Sequence, residues 1–322
     1  MSVFANILGS TILFAVPLLL VALGGMFSEH GGVINIALEG IMIIGGLCSC
    51  LFLKFATGFG LPANQLTMFL AILVAGLSGM IYSLALAFAA INLKANQTIG
   101  GTALNIIAPA FSVILAWAIQ GQGNTDIQFP TWIRMATLSA DPSFFEVVFL
   151  KNLYLTTPVA IVLFIISYIL MYKTKFGLRL RACGEHPQAA DSVGINVSKM
   201  RYAGTIISGF LAGIGGLAFT ISAGSGFAST VAGYGFLGLA VMIFGNWKPL
   251  PILGASLFFS LFKVIGAYAS SIPFLPDLSK VKNSTSIYQM IPYIVTMIIL
   301  IFTSKRSKAP KAEGIPYDKG MR

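Results

Sequence analysis

Apolar and polar positions alternate along this chain in long blocks rather than in helical stripes. Apolar runs cover about 4–26, 33–53, 66–91, 99–119, 153–172, 202–222, 234–246, 251–268 and 288–303. Most are near the roughly 20 residues that a helix needs to cross a bilayer. Helices satisfy their own backbone hydrogen bonds where water is absent, so the pattern predicts an all-α, polytopic transmembrane bundle of about eight to ten spans. The run 234–246 is short, and Gly245, Pro249 and Pro251 interrupt the chain before the next run, which makes it a candidate for a broken or re-entrant helix. Neither the exact number of crossings nor the side of the N-terminus follows from the pattern.

Two segments break the apolar sequence. Residues 120–152 hold three of the ten acids and read as an external loop. Residues 173–201 carry Lys173, Lys175, Arg179, Arg181, Lys199 and Arg201, six of the twenty basic residues. The excess of Lys and Arg places that segment in the cytoplasm. The basic tail 304–322 follows the same rule, and its Pro and Gly content predicts a loosely ordered end to a single transmembrane domain, 1–303.

Composition sharpens the class. Of the 322 residues 57% are hydrophobic and 9% charged, and the mean hydropathy is +0.87. A soluble domain is about 25% charged, so this chain belongs in a membrane. The formal charge of +10 sits in the short connections rather than on one soluble face, which argues against nucleic acid as a partner. Cys48 and Cys50 point to different sides of a helix and Cys183 lies in a polar loop, so no disulfide framework is expected. The first run lacks a basic leader and is longer than a signal-peptide core, and it reads as a retained span.

Few residues carry candidate chemistry. There is no G-x-x-x-x-G-K-[ST] and no H-E-x-x-H, so neither a P-loop nor that zinc site is encoded. Gly224-Ser-Gly226 reads as a turn. A carboxylate at the middle of a spanning helix costs about 2.5–3.5 kcal/mol, which makes Glu39 conspicuous. If 33–53 is one helix, Asn35 and Glu39 lie four apart on one face that continues through Met42 and Gly46. That stripe either lines a solute path or is a buried polar pair holding two helices together. Lys263 reads as a cation snorkelling to an interface, with a pathway charge or a partnership to Glu39 as the alternatives. Gly204, Ser208, Ala212 and Gly216, with Gly209 and Gly213 beside them, form a small-residue seam suited to close helix packing. Within 173–201, Gly177 is expected to break the helix after Lys173. "EHPQAADSVGI" then reads as a short helix, with Pro187 in its first turn and Gly194 as its stop.

"FGLRLRACGEHPQAADSVGINVSKMR" resembles the coupling loop of ABC-importer permeases of the branched-chain amino acid/simple sugar group, through Gly177, Arg181, Ala182, Gly184, Ala189, Ala190, Gly194 and Ile195. "GGVINIALEGIMIIGG", preceded by Glu29, is similar to the early signature of the nucleoside-type branch, and "GYGFLGLAVMIFGNWKPLPILGASLFF" to a third block. The resemblance covers nearly the whole chain in order. It implies a multi-pass permease of the bacterial cytoplasmic membrane that forms half of a nucleoside path beside a second, homologous permease. It also implies an ABC ATPase docked on 173–201, where Glu185, Pro187, Ala189, Ala190 and Asp191 make up the coupling helix and its Ala-rich face meets the ATPase. A substrate-binding lipoprotein would deliver solute from outside. The chain would bind no cofactor and perform no covalent chemistry, with ATP used by the ATPase. A sugar is the alternative solute. A self-sufficient secondary transporter with Glu39 as a proton site is a separate alternative, but no inverted repeat is evident.

Overall fold

A computed structural model describes residues 2–268, apart from 57, 129, 136–142 and 225, together with 290, 294, 297 and 308–318. Among these residues there is no strand, only two isolated bridges. The helices are α1 (Ser2–His30), α2 (Leu38–Ala56), α3 (Gln65–Ile91), α4 (Gln97–Gln120), α5 (Thr156–Lys173), α6 (Lys175–Glu185), α7 (Pro187–Ser192), α8 (Val197–Ala223), α9 (Tyr234–Phe244) and α10 (Pro249–Ala267). Among the described residues seven of them are long and apolar enough to cross a membrane: α1 to α5, α8 and α10. The expected span 288–303 lies outside the described residues, apart from 290, 294 and 297.

Polar side chains set several helix starts. Asn64 accepts from the amides of Leu66 and Thr67, Asn96 from those of Thr98 and Ile99, and Asn196 from that of Lys199. Each asparagine satisfies donors that the first turn leaves unpaired. Thr174 ends α5 and caps α6 through Gly177 N. The break after Lys173 therefore sits at Thr174 and not at Gly177, which lies inside the first turn of α6. A Cβ at Gly177 would run into the carbonyls of Leu170 and Met171, so the residue serves close packing at that corner.

The seam predicted on α8 puts that helix at the centre, packed on α1, α2 and α3. Gly204 abuts Phe27 O on α1, Gly216 abuts Met42 O on α2, and Gly209 and Gly213 abut Gly79 O and Ala75 O on α3. Ser208 and Ala212 are fully buried along the same face. Broad apolar faces remain on the outer helices, at Ile81 and Phe88 of α3, Ile106 and Phe111 of α4, and Ile165 of α5.

One expected helix is split. Residues 33–37 precede α2 and are not helical. Asn35 and Glu39 consequently do not share a helix face, and Glu39 stands in the first turn of α2 rather than at mid-helix. The physical reason is local. Gly31 and Gly32 end α1 in a turn, and Val33, Ile34 and Ile36 are β-branched residues that favour extended backbone. The polar outer segment is also more structured than a plain loop. It holds a 3-10 turn at Thr131–Ile133 and a π-helical turn at Glu146–Leu150, and the bridge Ile127–Phe227 ties it to the segment after α8.

The tail departs from expectation as well. Residues 308–318 are docked against the bundle rather than loose: Ala312 is buried, and its amide donates to Gly184 O at 2.8 Å.

Candidate functional site

The first candidate site lies where two helices begin inside the bundle. α9 has eleven residues, about 16 Å of rise against a hydrocarbon core of about 30 Å. The chain reaches it through an irregular, non-helical stretch that descends beside α2. Phe227 packs on Gly46, and Gly233 and Gly235 arrive at Glu39, which is further down the same helix. α9 then continues until Trp247 Nε1 donates to Glu29 Oε2 at 2.5 Å, near the end of α1. The N-termini of α2 and α9 therefore meet head to head, with the two helices running in opposite directions away from the meeting point.

Both helix starts are positive ends of backbone dipoles, and one carboxylate serves them together. Glu39 lies in the first turn of α2 and accepts from Gly233 N at 2.8 Å and Gly235 N at 2.6 Å at the start of α9. A side chain at Gly235 would collide with the backbone of Glu39, so close approach demands a glycine there. Lys263 of α10 lies 4.0 Å from the ring centroid of Tyr234, with Phe14 and Phe219 each at 5.9 Å. It is not at an interface. Desolvated cations over aromatic faces are held by the ring quadrupole, and Glu39 supplies the opposite charge nearby.

Asn35 belongs to a neighbouring set of contacts. Its Nδ2 donates to Ser208 Oγ at 2.8 Å, while its Oδ1 has no partner among the described residues. Gln97 and Asn105 of α4 pin the extended entry to α2: Ile34 N donates to Gln97 Oε1 at 2.7 Å, Gly40 N to Asn105 Oδ1, and Asn105 Nδ2 to Ile36 O, the last two at 2.8 Å. Met42 is fully buried and carries no polar contact. Of the three candidate path residues, then, Glu39 and Asn35 make hydrogen bonds between elements and Met42 is packed in the interior. Asn105 and Gln97 escaped the sequence reading, although two amide side chains in or beside an apolar run of α4 are a usable signal.

The second candidate site is the basic segment. His186 and Pro187 open α7, and Gly194, with φ at +84°, follows its end as expected. Pro187 and Ala190 are buried, and Ala190 packs with Cys183 and Val197. The outward face is formed by Gln188, Ala189, Ser192 and Val193, with Glu185 and His186 exposed beside it and Asp191 partly so. The pair of alanines is thus divided: Ala189 is available for docking and Ala190 is the foot of the helix. Arg181 stacks on Tyr172, 5.0 Å from its ring centroid. Burial pushes the Cys183 thiol up to about 11. Gly184 touches His30, since a Cβ there would meet His30 O, so the basic segment lies at the C-terminal end of α1. That contact puts the C-terminal end of α1 at the basic end of the bundle, the end that the positive-inside rule assigns to the cytoplasm. No group of three or more His, Cys, Asp or Glu suited to a metal occurs among the described residues.

Comparison with known proteins adds to this geometry. The family described as branched-chain amino acid transport system / permease component matches residues 7–300. The guanosine ABC transporter permease protein NupQ of Bacillus subtilis is 40% identical over 99% of this chain and 98% of its own length. The nucleoside ABC transporter permease protein NupC of Lactococcus lactis is 39% identical over 97% of this chain and 96% of its own. A putative glucose ABC transporter permease protein, TsgC13 of Haloferax volcanii, is 28% identical over 96% and 94%. No solved structure matches the chain.

Proposed function

Because the chain belongs to the permease family of the branched-chain amino acid transport system, we propose that it forms half of the membrane path of an ATP-driven nucleoside importer. The observation that carries the solute class is the full-length similarity to two nucleoside permeases at 39–40% identity, against 28% to a putative glucose permease. In this reading a second, homologous permease completes the path, a binding lipoprotein delivers the nucleoside, and a separate ABC ATPase hydrolyses ATP. The chain has no P-loop of its own.

The geometry supports a mechanical role. α7 offers a small outward face at Ala189 and Val193, on which an ATPase groove can close. Behind it, α6 touches the end of α1, and α1 leads into the split entry of α2. Glu39 then couples α2 to α9, so that movement of either half-crossing moves the other. Two helix ends sharing one carboxylate form a hinge-like junction near the path, and Asn35 and Glu39 act there as braces.

The test is reconstitution in proteoliposomes with the neighbouring permease, ATPase and binding protein. Uptake of labelled guanosine should require ATP and all four components. Uptake by this chain alone, driven by a proton gradient, would favour a secondary transporter and sink the importer reading. Faster ATP-dependent uptake of glucose than of guanosine would reassign the solute.

A further inference from the structure

Residues 308–318 cross the inner end of the bundle and touch elements that transport would have to move. Lys308 N donates to Asn246 Oδ1 at 2.9 Å, at the lower end of α9. Ala312 N donates to Gly184 O at 2.8 Å, just before α7, and Gly314 N donates to Gly32 O at 3.2 Å, on the turn that feeds the entry to α2. Ile315 O accepts from Arg201 Nη1 at 2.9 Å, in the first turns of α8. Tyr317 packs on the cluster of Cys183, Ala190 and Val197 in which α7 is seated. Gly314 has φ at +74°, and a Cβ there would lie 2.7 Å from Ile34 Cδ1, so the fit against the α2 entry is tight.

Resting on the importer reading, we propose that residues 308–317 form a strap that transmits movement of the coupling helix to the split entry of α2, with Arg201 as the positioning residue that anchors it. Three observations converge on this. First, the strap joins α6, α8 and the α1–α2 turn mostly through backbone groups, which cannot stretch and so pass displacement on. Second, it reaches both half-crossings that meet at Glu39: the end of α9 through Lys308 at Asn246, and the α2 entry through Gly314 at Gly32 and Ile34. Third, Arg201 is 1% exposed, yet its Nε and Nη2 have no partner among the described residues. A buried guanidinium with unused donors is costly in a single static packing. Unused donors suit a group that exchanges carbonyl acceptors between two placements of the strap. Nη2 already faces the turn, where a Cβ at Gly32 would lie 2.9 Å from it.

The test uses the complete four-component importer in proteoliposomes and reads solute moved per ATP hydrolysed. Three changes are compared: deletion of residues 308–322, Gly314→Val, which pushes the strap off Ile34, and Arg201→Met, an apolar side chain of similar length. If Arg201 served packing alone, methionine would be tolerated. The strap instead predicts that Gly314→Val and Arg201→Met assemble normally and hydrolyse ATP, but move solute per ATP about fivefold less or worse, the scale of ordinary coupling energies. The deletion should do the same, and if it fails to assemble the two point variants decide. A ratio equal to that of the unmodified complex in both point variants overturns the proposal. So does loss of assembly in both, which would make the strap a structural brace. Absence of ATP-dependent uptake in the unmodified complex would fail the importer reading itself, and the strap with it.

Discussion

A single carboxylate at the start of α2 accepts the first amides of α9. Replacing Glu39 by alanine leaves the amides of Gly233 and Gly235 without their acceptor in a buried site. Each orphaned donor costs about 1–3 kcal/mol, and a charge lost from a helix start adds about 0.3–1 kcal/mol. The expected result is a melting temperature of the detergent-solubilised protein lower by roughly 5 °C or more. Glu39→Gln keeps one acceptor oxygen and should lose about half as much. An unchanged melting temperature in Glu39→Ala would refute the brace. The strap carries a second informative carboxyl: burial holds Glu313 up to about 7, and Glu29 faces it across the gap, with Lys311 beside it in the chain. Because its value in the docked strap is raised, the docked form holds the proton more tightly than the free tail does. Docking is then strongest below the ordinary carboxylate range of about 4.5, weakens as pH rises to about 7, and is constant above that. With Cys48 and Cys50 replaced by alanine, maleimide labelling of Cys183 checks this, taken relative to Glu313→Gln at the same pH. That ratio should rise between pH about 5 and about 7 and then level off. A flat ratio would show that Glu313 does not govern docking.

Elements differ in how far the sequence discloses them. The short helix α7 was legible because its signals are local: Pro187 opens it and Gly194, at positive φ, closes it. The α8 seam was legible for a similar reason, since small residues at four-residue spacing have few uses in lipid other than close packing. The split of 33–53 was not legible by hydropathy, because Val33 to Ala37 is as apolar as the helix that follows it. Its extended form depends on Gln97 and Asn105 of α4, which supply the hydrogen bonds that a helix would have made internally. The docked tail was hidden for a related reason: its composition is that of a solvated end, and its order comes from Gly184, Gly32 and Arg201, all more than a hundred residues away. Burial likewise separates Ala189 from Ala190, which the sequence presents as a pair. Ala189→Asp puts a charge on the outward face and should weaken ATPase docking, read by co-purification, while the permease remains folded. Ala190→Asp buries a carboxylate among Cys183 and Val197 and should destabilise the segment by several kcal/mol, on the order of 3–5. Equal effects of the two substitutions on melting temperature would contradict this division.

At the scale of the whole molecule, charge and connectivity have to agree on one orientation. Lys94, Lys173, Lys175, Arg179, Arg181, Lys199, Arg201, Lys248, Lys308 and Lys311 gather at the end where α1 finishes, and Lys94 pairs with Asp318 of the tail at 2.6 Å. At the other end stand Lys54, Arg134 and Lys151, each tied to a neutral partner: Lys54 to Gln120, Arg134 to Tyr154 and Lys151 to Asn6. The positive-inside rule makes the first end cytoplasmic. From an outside start, α1 runs in, α2 out, α3 in, α4 out, α5 in and α8 out; the irregular stretch with α9 completes one inward crossing, and α10 returns outward. The broken crossing is therefore required by parity as well as by the contacts of α9. A membrane-impermeant maleimide tests the whole arrangement on single-cysteine chains. Gln122→Cys, in the exposed turn after α4, should label in intact cells. Val193→Cys, 74% exposed at the end of α7, should label only after permeabilisation. Labelling of Val193→Cys from outside would invert the bundle and place the coupling segment out of reach of any ATP-consuming partner. Labelling of neither site in intact cells, with both reactive after permeabilisation, would mean that α5, which lies between the two positions, does not complete a crossing, and the alternation of spans would fail there.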